Sequence, residues 1–166
     1  MTDTPDWLPR LVYFQDYGGD WACYIDAVYQ YFKKDFIDSN PEFGNKVVRL
    51  KRYPLFQNKE YSFWHVTSEG DEEEHRTPDL RRCERIRWPR PIIEHYTDTD
   101  IRCWQNKRGQ DKYILFWFYE QDYLVVLADR KRYVLLWTAY VGSWKHTREK
   151  LKREYDAYIK RLTPPQ

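Results

Sequence analysis

The chain has 166 residues, with 28 Lys and Arg against 26 Asp and Glu for a formal charge of +2, and aromatic residues make up 19% of it. That length suits one domain with a real core, and so many large rings exclude disorder of the whole chain. No stretch approaches the roughly 18 apolar residues of a membrane span, and an acidic, polar start is not a secretory leader. Cys23, Cys83 and Cys103 are widely spaced and form no CxxC pair, so the expectation is a cytoplasmic protein with reduced thiols and neither a disulfide framework nor a zinc site.

A short apolar segment, Leu8 to Phe14, is broken by Gly18-Gly19-Asp20. Trp21, Ile25, Val28, Phe32 and Phe36 then recur at helical spacing behind Asp20, an N-cap residue, which predicts a helix over 20–36. Residues 46–53 are β-branched and basic before Pro54 and read as a strand near a sheet edge. Tyr61 to Thr67 is aromatic-rich with an imperfect alternation and reads as a second strand. Ser68 to Glu74 reads as an acidic, solvated loop. Thr77-Pro78-Asp79 marks a helix start, with Leu80, Cys83 and Ile86 on one side and an end before Pro89. Over residues 81–90 five arginines face one glutamate. Residues 112–120, 123–128 and 133–140 read as three strands of an antiparallel meander, joined by short turns. A basic amphipathic helix over about 145–161 follows, with Leu151, Tyr155, Tyr158, Ile159 and Leu162 on one face.

The order α-β-β-α-βββ-α predicts an α+β domain, its helices packed on one face of a mostly antiparallel four- to five-stranded sheet. Residues 1–166 read as a single domain: an N-terminal extension with a helix over 1–45, a sheet-bearing core over 46–144, and the C-terminal helix over 145–166.

There is no HExxH, EF-hand, GxGxxG, GxxxxGK[ST] or GxSxG pattern, so no metal or other cofactor is expected, and nucleotide-dependent and α/β-hydrolase chemistry are disfavoured. What remains is His65, Thr67, Arg82, Arg85, Arg108, Lys112, Arg130, Thr138 and Tyr140. Metal-independent RNA cleavage needs such groups: a base for the 2′-hydroxyl, cations for the phosphorane, and a proton donor for the leaving 5′-oxygen. Thr138 and Tyr140 share a strand face by the period of two. Each of these residues also has a plainer use. A histidine in a Trp-His-Val run packs well in a core, Thr and Tyr are common strand residues, and an arginine-rich helix face is usually solvated.

Asp122-Tyr123-Leu124-Val125-Val126-Leu127-Ala128-Asp129-Arg130, then Tyr133-Val134-Leu135-Leu136-Trp137-Thr138-Ala139-Tyr140, resembles the last hairpin of the phage- and mobile-element-associated branch of the barnase–EndoU–colicin–RelE (BECR) ribonuclease superfamily. Phe63-Trp64-His65-Val66-Thr67-Ser68-Glu69 and Pro78-Asp79-Leu80-Arg81-Arg82-Cys83-Glu84-Arg85-Ile86 are similar to two further blocks of that branch, and the resemblance covers about residues 60–150. It implies a BECR-like fold, with a helix packed on a four-stranded antiparallel sheet, and metal-independent cleavage of tRNA or other structured RNA. By position it implies His65 as general base or acid, with Thr138 and Tyr140 lining the site. Arg82, Arg85 and Arg130 would contact phosphate, and Arg108 and Lys112 are further candidates for RNA binding. A toxin of this kind is expected to have an antitoxin or immunity protein as partner and to act as a monomer or weak homodimer. The small net charge argues against strong RNA binding, but the acidic stretch at 71–74 offsets two locally basic helices. The competing expectation is a non-catalytic accessory protein that binds a host protein or nucleic acid through its many Trp and Tyr residues.

Overall fold

The computed structural model describes residues 4–70 and 76–164. Helix α1 (Trp21–Phe36) begins as its sequence dictates, with the Asp20 carboxylate accepting from the Cys23 amide at 3.1 Å. It buries Tyr24, Ile25, Val28, Phe32 and Phe36. The Tyr24 hydroxyl donates to the Val12 carbonyl at 2.7 Å and fastens the irregular N-terminal segment to the helix. These N-terminal residues share one core with the sheet, since Val12, Val28 and Phe32 belong to the same buried cluster as Phe116, Val125 and Leu136.

Strands β1 (Glu42–Phe43) and β2 (Lys46–Arg49) form a short hairpin. The second is shorter than the predicted 46–53 because the chain leaves the sheet for an irregular loop with a cis Tyr53–Pro54 bond. Within that loop Phe56 and Lys59 pair across Gln57 and Asn58, both at positive φ (50° and 59°), as a tight two-residue hairpin turn requires.

Residues 61–67 correct the sequence reading: they form helix α2 (Tyr61–Thr67), not a strand. Ser62, Phe63, Val66 and Thr67 are its buried positions, a spacing of three and four that the aromatic and β-branched composition masks. A helix this short has little stability alone, so its packing decides it. Strands β3 (Ser68–Glu69) and β4 (Thr77–Pro78) make a separate two-stranded ribbon. The expected acidic loop is thus strand at its first two residues, and 71–74 lie outside the described residues. The helix expected from Thr77 starts later and is split. Asp79 caps α3 (Leu80–Glu84), and Pro89 opens α4 (Pro89–Glu94) rather than only ending what precedes it.

The meander has four strands, not three. Strand β5 (Ile101–Arg108) precedes β6 (Asp111–Phe118), β7 (Tyr123–Asp129) and β8 (Val134–Val141), each pairing antiparallel with the next. The sheet order is β1-β2-β8-β7-β6-β5, six strands, one more than the expected maximum, and β2 lies parallel to β8. Helix α5 (Lys145–Leu162) is the last element.

The helices do not share one face, which corrects a second expectation. The face made by Phe116, Phe118, Val125 and Leu127 is covered by α1–α4. The opposite face, with Trp104, Leu115, Trp117, Leu124 and Val126, packs on Leu151 of α5. The cause is legible in β6 and β7: both strands are apolar at consecutive positions, so each side of the sheet needs cover.

Candidate functional site

Strand β2 pairs with β8 only at Val134 and Leu135. Beyond that point the edge of β8 is covered by α2. The Ser62 hydroxyl accepts from the Lys51 amide at 2.8 Å and reaches the Leu136 carbonyl at 3.5 Å. Covering an edge with a helix satisfies backbone groups that would otherwise invite another strand.

Along this seam the residues of interest meet. The His65 main-chain carbonyl accepts from Arg82 Nη1 at 3.2 Å and from Thr138 Oγ1 at 3.3 Å. Arg82 Nη1 also donates to the Ser68 carbonyl at 2.6 Å, and Arg82 Nε lies 3.6 Å from an Asp79 carboxylate oxygen. The same guanidinium sits 5.6 Å from the centre of the Tyr140 ring. His65, Arg82, Thr138 and Tyr140 thus come together from α2, α3 and β8.

A bulge aims two of them. Val126 pairs with Thr138 and Leu127 with Leu136, so Trp137 is an extra residue in β8. Without it, the alternation that buries Val134 and Leu136 in the large core would send Thr138 and Tyr140 there too. With it, both line a groove of about 330 Å³ between the sheet and the first turns of α5. Arg108, Asn106, Tyr113 and Trp137 line it from the sheet, and His146, Thr147 and Lys150 from α5. Burial pushes the Tyr140 phenol above its ordinary pKa, while Arg108 and Arg82 pull it down. The phenol therefore stays protonated at neutral pH, within the field of two guanidiniums.

The His65 ring faces the other way. It lies 4.2 Å from the Tyr61 ring and 6.4 Å from that of Trp137, on the wall of an aromatic cavity of about 690 Å³. Trp137 therefore stands between the cavity and the groove.

Four of the predicted residues are elsewhere. Arg85 donates to the Arg81 carbonyl at 3.0 Å, pairs with Glu84 at 3.7 Å and lies over Trp88, and burial lowers its pKa. Lys112 projects from the opposite face of β6, because Ile114 and Phe116 share its parity and face the large core. Arg130 is at the margin, paired with Asp111 at 3.6 Å and 5.8 Å from the Trp137 ring. Thr67 is buried and donates to the Phe63 carbonyl within its own helix. Sequence reasoning passed over Asn106, Tyr113, Trp137, His146 and Lys150. The alternation of Trp104, Asn106 and Arg108 in β5 is the signal that would have found the first of these.

Among the described residues no group of three or more His, Cys, Asp or Glu side chains is placed to hold a metal ion, and no helix is long and apolar enough to cross a membrane. Comparison of the chain with models of known protein families, with curated proteins and with solved structures returned no match in any of the three.

Proposed function

We propose that the protein is a metal-independent endoribonuclease whose substrate crosses the seam between the aromatic cavity and the groove. The observation that carries this is Tyr140 and Arg108 in one groove, with Arg82 beside the Tyr140 ring and the His65 main-chain carbonyl joining Arg82 to Thr138.

For one phosphate to meet both Tyr140 and His65 it would lie over Trp137, with Tyr140 reaching it from the groove and the His65 ring, whose Nε2 is buried, turning toward it from the cavity. His65 takes the proton of the 2′-hydroxyl as that oxygen attacks the adjacent phosphorus. Arg108, with Arg82 behind Tyr140, stabilises the charge of the phosphorane. The bond from phosphorus to the 5′-oxygen breaks, and Tyr140 gives its proton to that oxygen. The products are a 2′,3′-cyclic phosphate and a 5′-hydroxyl, and exchange with water restores both side chains. Two imidazoles flank the site. His65 is the one the resemblance marks as base or acid, and His146 is exposed in the groove beside Tyr140.

The test is cleavage of cellular RNA and tRNA in excess EDTA by the wild type, His65→Ala and Tyr140→Phe. His65→Ala keeps the main-chain carbonyl that holds Arg82 and Thr138, so its loss of activity reports on the ring. Each substitution is expected to lower the rate roughly 10²- to 10⁴-fold. A wild type that cleaves no RNA would favour the second reading, a non-catalytic binding protein. That reading draws on the exposed side chains of Tyr53, Leu55 and Phe56 beside the cavity.

A further inference from the structure

We infer that a second cavity, along the other flank of α5 from the Tyr140 groove, binds a phosphoryl group, a site separate from the seam and independent of the nuclease reading. The cavity holds about 490 Å³ and is lined by Arg102 of β5, Trp117 of β6 and Tyr119 just after it, with Lys145, Arg148 and Lys152 of α5. The groove takes His146, Thr147 and Lys150 of the same helix, so the helical period sets the two on opposite flanks.

Arg102 carries the argument. Its guanidinium lies over three rings, 4.3 Å from the centre of Tyr119, 5.3 Å from Tyr155 and 5.5 Å from Trp117, and it makes no hydrogen bond or ion pair among the described residues. Ring contacts hold the cation in place and leave its planar fork of N–H donors, the fork that meets two phosphate oxygens, without an acceptor. Arg148, by contrast, is engaged with Asp122 and with the Tyr119 carbonyl at 3.4 Å.

A buried donor is in the same condition. Trp117 is 3% exposed, and its indole nitrogen has no hydrogen-bond partner among the described residues. A buried donor without an acceptor is costly, and an oxyanion brings one. Lys145 is the first residue of α5, whose N-cap residue Trp144 supplies no side-chain hydrogen bond, so the amides of that turn and the positive end of the helix dipole lie beside the lysine. Donors from a strand, a helix terminus and two lysines exceed what the two oxygens of a carboxylate accept, and a phosphoryl group presents three. Glu120 and Glu149 also line the cavity, but both are exposed, whereas Arg102 is fixed by its rings.

The probe is inorganic phosphate, followed on the assigned indole N–H resonance of Trp117 by proton–nitrogen NMR of the whole protein, with chloride at matched ionic strength as reference. Phosphate should shift the resonance saturably and chloride should not. Arg102→Gln should raise the phosphate Kd roughly 10- to 150-fold, the span of one hydrogen bond to a charged group. Glu149→Gln, which removes a negative charge at an exposed position, should lower it. A single-stranded 2′-O-methyl oligoribonucleotide is the second probe. Displacement of phosphate by it would uphold the site as one for a backbone phosphate, and phosphate binding that it leaves untouched would uphold it as one for a small phosphorylated ligand. No saturable shift with either probe, an equal shift with chloride, an unchanged Kd in Arg102→Gln or weaker phosphate binding in Glu149→Gln would each overturn the inference.

Discussion

The carbonyl oxygen of His65 receives donors from a helix and a strand, and this explains why Arg82 and Thr138 meet while Arg85, three residues along from Arg82, does not. Arg85 is the C-cap, past the end of α3 and out of helical geometry, so its guanidinium goes to Glu84 and Trp88 instead. The residue types were legible in the sequence. That Thr138 and Tyr140 face the same way follows from the period of two, but which way they face depends on the bulge at Trp137. The direction of the His65 ring was hidden for another reason: it depends on α2 being a helix. Elsewhere a single carboxyl makes a prediction about pH. Burial raises the Asp35 pKa to about 6, against the pull of Arg90 and Arg87. A folded-state pKa above the unfolded one means stability that is full below about pH 4 and lost as pH rises through about 6. Relative to Asp35→Asn, the wild type should therefore lose up to about 2 kcal/mol between those limits, the solvent reaching the carboxyl moderating the effect. Denaturant unfolding at a series of pH values checks this, and parallel profiles for the two proteins would refute it.

At the scale of elements, α2 is the piece that makes the seam. Ser62 joins it to the main chain on both sides, accepting from Lys51 and reaching Leu136, and its side chain is buried. Ser62→Ala leaves those backbone groups without that partner, which costs roughly 1–3 kcal/mol. Thermal unfolding should move down by about 2–4 °C for each of those kcal/mol in a protein of this size, and an unchanged Tm would show that α2 does not depend on the bond. The strands β6, β7 and β8 were legible to within two residues because their apolar runs are long and their turns short. Strand β5 was not. It lies at the sheet edge with polar residues at most positions, so its pattern is weak, although Gly109 at φ 64° marks the turn that joins it to β6. Residues 61–67 misled through composition, since aromatic and β-branched residues favour strands on average and here packing against β8 overrides that preference.

For the whole molecule, the sheet is a central layer with α1–α4 on one side and α5 on the other. The last helix closes the groove over Tyr140 and is held by few contacts. Leu151 is its buried apolar anchor, and Glu154 accepts from the Trp104 indole at 3.4 Å and from Asn106 at 3.3 Å. Leu151→Ala should lower stability by about 2–5 kcal/mol in urea unfolding, and a near-neutral effect would mean that α5 is not seated on the sheet. A helix amphipathic in sequence shows that it needs a surface, not which of two it covers. That is why both-sided cover was missed although the apolar runs of β6 and β7 imply it. The central claim, RNA cleavage by the substrate's own 2′-hydroxyl at this seam, is tested most directly with a single-stranded RNA and its fully 2′-O-methylated counterpart, incubated with the protein in excess EDTA and analysed for strand ends. The account predicts that only the RNA is cut and that its fragments carry 2′,3′-cyclic phosphate; cutting of both strands, or of neither, would contradict it.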